Sequence, residues 1–172
     1  MLEMKNVTYI YEDQTVALKD ISMDLSKGSC IGIIGSNGAG KSTLFLNFTG
    51  VLKPKQGQIF YDEKPMKYDK ASLRELRKQV SIVFQDPDKQ IFFSKVYDDV
   101  AFALRNLGVD EKEINHRVNI ALASVGAKDF ADKPVHFLSH GQKKRVAIAG
   151  VIAMDSEIIF MDEPCAGLDP LA

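Results

Sequence analysis

The chain has 172 residues, enough for one domain with a sizeable core. Its hydrophobic share of 45% and charged share of 26% are ordinary for a globular protein. With 22 Lys and Arg against 23 Asp and Glu, no global field favours nucleic acid or an anionic membrane, which argues against a DNA-binding surface.

Residues 2–11 partly alternate and are rich in β-formers, which predicts a strand. A polar turn at Glu12, Asp13 and Gln14 follows, and residues 17–25 alternate again as a second antiparallel strand. Lys27-Gly28 predicts a turn. Residues 29–34 form a short apolar run of the kind buried on both faces of a sheet. A glycine-rich stretch, 35–40, leads into a helical spacing over 41–49 (Leu44, Phe45, Phe48) that Gly50 stops. Residues 53–57 read as a turn, 58–61 as a strand, 71–78 as a helix and 80–84 as a strand.

From Gln85 to about Gly141 the pattern turns helical, with three- and four-residue steps over 96–107 and 111–125. Residues 142–154 predict a further helix, and 157–161 a second continuous apolar strand ending in Asp162-Glu163-Pro164. Cys30 and Cys165 lie far apart without metal-ligand spacing, and read as reduced thiols of a cytosolic protein. No signal peptide is visible at the N-terminus, and no stretch approaches the roughly 20 apolar residues that span a bilayer. Any membrane role must therefore come through a partner.

Gly35-Ser36-Asn37-Gly38-Ala39-Gly40-Lys41-Ser42 fits the phosphate-loop pattern G-x-x-x-x-G-K-[ST] between a predicted strand and a predicted helix. Glycines let backbone N–H groups turn inward around phosphate oxygens without side-chain clash. The helix from Gly40 directs its unpaired amides and positive dipole end at the same charge. Lys41 neutralises the β- and γ-phosphates in this reading, Ser42 holds Mg²⁺ through its hydroxyl, and Thr43 adjoins the nucleotide. Asp162 and Glu163 close a strand, and ligands of open parallel sheets bind beyond the strands' carboxyl ends. That suits Asp162 to approach Mg²⁺ and Glu163 to polarise an attacking water.

Leu138-Ser139-His140-Gly141-Gln142, followed by Lys143-Lys144-Arg145, resembles the signature loop of the ABC ATPase family, and the resemblance runs over the whole length. It implies an α/β P-loop NTPase fold with a mixed parallel core sheet (31–55, 79–85, 142–172). An N-terminal antiparallel β subdomain (1–30, 56–62) and an inserted α-helical subdomain (86–141) complete the expectation. Two subunits pair head to tail in that family. Ser139, His140, Gly141 and Gln142 then face the ATP held by the partner's cradle; the usual residue at position 140 is Gly. The resemblance further implies that Tyr11 stacks on adenine, with Tyr9 as competitor. It implies that Gln85 touches Mg²⁺ and senses a membrane partner, and that Asp169, in Ala166-Gly167-Leu168-Asp169, communicates between subunits.

A finer likeness, over residues 85–92, 98–102 and 138–150, is to the ATPase subunits of energy-coupling-factor importers, the cobalt-import type above all. Such systems join an ATPase pair to a transmembrane coupling subunit and a substrate-binding membrane subunit, at the cytoplasmic face of a prokaryotic membrane. Other importers or exporters, and soluble ABC ATPases acting on DNA or ribosomes, are the alternatives. The spacing between Lys41 and Leu138 leaves no room for the long coiled coils of the DNA-repair members. The family's histidine on a strand beyond Asp169 has no counterpart here, since His116, His136 and His140 all lie upstream. The expectation is thus a domain lacking its C-terminal part, able to bind ATP but poor at hydrolysing it.

Overall fold

The computed structural model describes residues 1–26 and 30–166 and divides the chain into two units, Met1–Arg77 and Lys78 onward. In the first, β1 (Leu2–Ile10) lies between β2 (Val16–Asp24) and β3 (Gln56–Tyr61), both antiparallel to it. The two-residue β4 (Lys64–Pro65) extends the β3 edge, giving the order β2-β1-β3-β4. Alternation decides the facing: Leu2, Met4, Val7, Leu18 and Ile59 are buried. Helix α1 (Lys41–Phe48) buries Leu44, Phe45 and Phe48, each worth about 1.5–3 kcal/mol on the transfer scale. Just before α2 (Lys70–Gln79), Asp69 accepts hydrogen bonds from the Ser72 amide at 3.0 Å and its hydroxyl at 2.7 Å.

Two expectations change in this unit. The turn read over 53–57 is shorter, because β3 begins at Gln56 and runs through Gly57. Gly57 has φ +79, and a Cβ there would lie 2.3 Å from the Asn6 carbonyl oxygen, so only glycine lets the strand approach β1 here. The buried strand expected over 29–34 is not formed by residues 30–34. A strand exists only where neighbours take its backbone hydrogen bonds, and no described strand pairs with this run. Ile34 is 99% exposed instead of buried. Ser29 and the Lys27-Gly28 turn lie outside the described residues.

In the second unit, β5 (Val80–Val83) and β6 (Ile158–Met161) pair in parallel, Val80 opposite Ile158 and Val83 opposite Met161. Phe160 is buried, while Ile159 and Met161 are partly exposed, so β6 covers one face rather than the two its apolar run implied. Helices α3 (Val96–Leu107), α4 (Glu111–Ser124) and α5 (His140–Ala153) enclose a core of Val100, Leu104, Ile114, Val118, Leu122 and Val146. Asp110 caps α4 by accepting from the Lys112 amide at 2.9 Å. Among the described residues, no helix is long and apolar enough to cross a membrane.

Candidate functional site

The phosphate loop belongs to the first unit. Gly40 sits at the N-cap of α1 with φ 89 and ψ 9, and no side chain caps the helix. A Cβ at Gly40 would stand 2.5 Å from the Ala17 carbonyl oxygen, so the turn that opens α1 requires glycine on both steric counts. The first-turn amides of α1 are thereby left for an anion. Ser36 accepts the Ala39 amide at 3.1 Å, which closes the loop into a turn. The Lys41 ammonium folds back over it, donating to the Gly35 and Ser36 carbonyls at 2.9 and 3.0 Å. Asn37, Gly38 and Ala39 are exposed, as is Ser42.

Tyr11 follows β1 in the same unit and is partly exposed. Its hydroxyl lies 2.8 Å from Thr43 Oγ1, and its ring meets Tyr9 edge-on with centroids 5.0 Å apart. Thr43 is buried. The two tyrosines weighed for the base are thus in mutual contact, and Tyr11 is the one tied to α1.

The carboxylate cluster belongs to the second unit. The parallel pairing of β5 and β6 brings the segments after them together: the Asp162 amide donates to the Val83 carbonyl at 3.0 Å. Gln85 Nε2 donates to Glu163 Oε2 at 2.8 Å, joining two residues 78 positions apart that the sequence singled out separately. Asp162 is buried. Glu163 has φ 47, the left-handed region that non-glycine residues rarely occupy, and such outliers gather at functional sites.

Lys144, the middle residue of the basic run Lys143-Lys144-Arg145, is fully buried. Its ammonium donates to the carbonyls of Phe84 and Gln85, both at 2.9 Å, and more distantly to that of Glu163 at 3.4 Å. Burial pulls its pKa down, against the carboxylates of Asp162, Glu163 and Asp86, which favour the charged form. The available signal was helical spacing: Lys144, Ala147 and Val151 fall at i, i+3 and i+7, a stripe whose apolar members mark it as inward-facing.

The signature segment forms the start of α5, which begins at His140 rather than Gln142. Ser139 is the cap: its hydroxyl accepts the Gln142 amide at 3.3 Å, and Gln142 Oε1 accepts the Ser139 amide at 2.9 Å. This reciprocal box satisfies two orphan groups and starts the helix two residues earlier than expected. His140 is exposed and Gly141 half-buried. Asp169 lies outside the described residues. Cys30 and Cys165 are free and exposed.

In the second unit the donors expected to hold Mg²⁺ are oxygens, the Asp162 carboxylate and the Gln85 amide oxygen, whose nitrogen end goes to Glu163; the Ser42 hydroxyl expected to join them is exposed in α1 of the first unit. Such hard donors, few in number, suit an ion that keeps much of its own water.

Comparison with known proteins places similar chains among ABC transporter ATPases. The energy-coupling factor transporter ATP-binding protein EcfA of Methanocaldococcus jannaschii is 52% identical over 171 residues, 99% of this chain and 61% of that protein. The chain thus spans less than two thirds of this curated relative's length. Among solved structures, cbiO1 from Clostridium perfringens, part of the ABC transporter complex cbiONQ, aligns with TM-score 0.84 and 49% identity over 99% of this chain and 68% of that one. A dimeric ATP-binding cassette in a post-hydrolysis state, bound to ADP and Pi, aligns with TM-score 0.90 and 29% identity over 99% of this chain and 77% of that one. The sequence profile described as ABC transporter matches residues 18–166, and the chain belongs to that family.

Proposed function

We propose that the chain binds and hydrolyses ATP as the motor subunit of an ABC importer. The observation that carries this reading is the Gln85–Glu163 hydrogen bond at the carboxyl ends of β5 and β6, in a chain that also carries the full phosphate-loop motif. Gln85 orients the Glu163 carboxylate, which holds the attacking water and takes its proton. The loop amides and Lys41 hold the phosphates, and positioning with charge neutralisation supplies most of the acceleration. Mg²⁺, when bound by Ser42, Gln85 and Asp162, neutralises charge on the phosphate oxygens. Tyr11 stacks on the base.

Ser139, His140, Gly141 and Gln142, at the N-terminus of α5, face the nucleotide of a second ATPase subunit paired head to tail, with Asp169 in the contact between subunits. The dimeric cassette among the neighbours supports that pairing. The likeness to EcfA and cbiO1 supports an energy-coupling importer with a transmembrane coupling subunit and a substrate-binding membrane subunit. Its place is peripheral, on the cytoplasmic face. The cargo we favour is a transition metal, cobalt first, or a vitamin.

The test uses the full-length protein. It is expected to bind ATP with Mg²⁺ and release phosphate, and Lys41→Ala is expected to abolish both. Absence of ATP binding by the unmutated protein refutes the reading. Uptake of radioactive cobalt into vesicles holding the co-purified membrane partner decides the cargo.

A further inference from the structure

An ammonium has three N–H donors, and Lys144 spends them on three backbone carbonyls, those of Phe84, Gln85 and Glu163. Two of these carbonyls belong to the residues whose side chains meet at 2.8 Å. A fully buried charge is costly to keep, and a hydrocarbon of similar volume fills such a position at less cost. A charge retained here therefore needs a use beyond filling space. The surrounding contacts point the same way. Lys143 pairs with Asp88 at 2.7 Å. Gln90 accepts the Phe84 amide at 3.0 Å and donates to the Ala147 carbonyl at 3.2 Å. The segment bearing Gln85 is thus fastened to α5 at several points, and from α5 Lys144 also reaches the residue bearing the carboxylate.

We infer that Lys144 is a positioning residue for hydrolysis, pinning the backbones of Gln85 and Glu163 to helix α5 so that the Gln85 amide stays on the Glu163 carboxylate. The inference rests on the hydrolytic reading of Glu163 for its kinetic consequence, but not for its structural one. Because α5 opens with the Ser139–Gln142 box, displacement of that helix is carried to both residues.

The experiment compares Lys144→Met, Lys144→Arg, Gln85→Ala and the Gln85→Ala/Lys144→Met pair in the full-length protein. Lys144→Met is expected to bind a trinitrophenyl ATP analogue within about twofold of the unmutated protein while kcat falls about tenfold or more, as small misplacements of reacting groups do. Lys144→Arg, which keeps charge and donors, is expected to recover part of kcat. Adding Gln85→Ala to Lys144→Met is expected to cost less than about twofold further, because both break one contact. Multiplicative losses in the pair, or an unchanged kcat in Lys144→Met, overturn the inference. Should the unmutated protein bind no ATP, the proposed function fails separately, and amide exchange over residues 84–90 then decides. Exchange about tenfold faster in Lys144→Met supports the pin, and unchanged exchange overturns it.

Discussion

The Tyr11 hydroxyl and Thr43 Oγ1 lie 2.8 Å apart, joining the residue after β1 to the third residue of α1. Thr43 is buried, so this bond occupies a hydroxyl that otherwise has little access to solvent. The contact and the proposed stacking on adenine make different demands on Tyr11: the first needs the hydroxyl, the second only the ring. Tyr11→Phe is therefore expected to keep nucleotide affinity within about threefold, whereas Tyr11→Ala loses the stacking worth about 1–3 kcal/mol. Titration with a fluorescent ATP analogue separates them. If Phe weakens binding as much as Ala does, the hydroxyl is what matters and the stacking role is wrong.

Gly38 and Gly40 share a left-handed backbone, with φ +80 and +89, but differ in surroundings. An added Cβ meets nothing within 4 Å at Gly38, yet lies 2.5 Å from the Ala17 carbonyl oxygen at Gly40. Gly38→Ala should therefore cost about 1–2 kcal/mol, the strain of the conformation alone. Gly40→Ala should cost more, because the chain must also move away from β2. Thermal unfolding of the two variants is the check, with Gly40→Ala expected to melt several degrees lower. Equal melting temperatures contradict the steric account.

Asp99, on α3, accepts the amides of Phe92 and Phe93 through one oxygen, at 2.8 and 3.0 Å. Burial raises its pKa above the ordinary 3.8, outweighing the two amides, which act to lower it. The folded protein thus holds the Asp99 proton more tightly than the unfolded chain does. Stability contributed by this group falls as pH rises from near 3.8 through the raised folded value, and then levels off. Asp99→Asn keeps an accepting oxygen for both amides and does not titrate. The stability of the Asn variant relative to the unmutated protein should rise across that window and flatten above it. Denaturant unfolding at a series of pH values measures this, and parallel curves exclude it. Asp99→Ala, by contrast, leaves both amides without their acceptor at every pH.

What the sequence made legible was chemistry with a strict spacing. The phosphate loop needs glycines at fixed offsets and a lysine, so its pattern survives without a structure. The strands expected over 2–11 and 17–25 and the helices expected over 96–107 and 111–125 form within a residue of those bounds, because periodicity reports an element with one buried face. Residues 30–34 misled for the opposite reason: their apolar run states a preference for burial and says nothing of which strands pair with them. The helix expected over 142–154 starts two residues earlier, at His140, because Ser139 and Gln142 stand at the capping-box spacing and close that box. Lys144 illustrates a limit of composition, where a lysine in a basic run reads as solvated until the carbonyls around it are known. The pairing of Gln85 with Glu163 is non-local and depends on the register of β5 against β6, which no local pattern encodes.

Glu163→Gln isolates charge from geometry in that pair. A glutamine at this position still offers an oxygen to Gln85 Nε2, so the hydrogen bond and the unusual backbone at φ 47 can both persist. What disappears is the ability to take a proton, and general-base losses of this kind lower kcat about 10²–10⁴-fold. Nucleotide affinity should change little, because the loop amides and Lys41 are untouched. With hydrolysis stalled and ATP retained, the head-to-tail pair proposed above should accumulate, and light scattering of the full-length variant should report twice the monomer mass only when ATP and Mg²⁺ are present. A variant that binds ATP yet stays at monomer mass argues against the shared-nucleotide dimer. One that still turns ATP over at the unmutated rate removes Glu163 from the proton-accepting role, and with it the purpose assigned to its bond with Gln85.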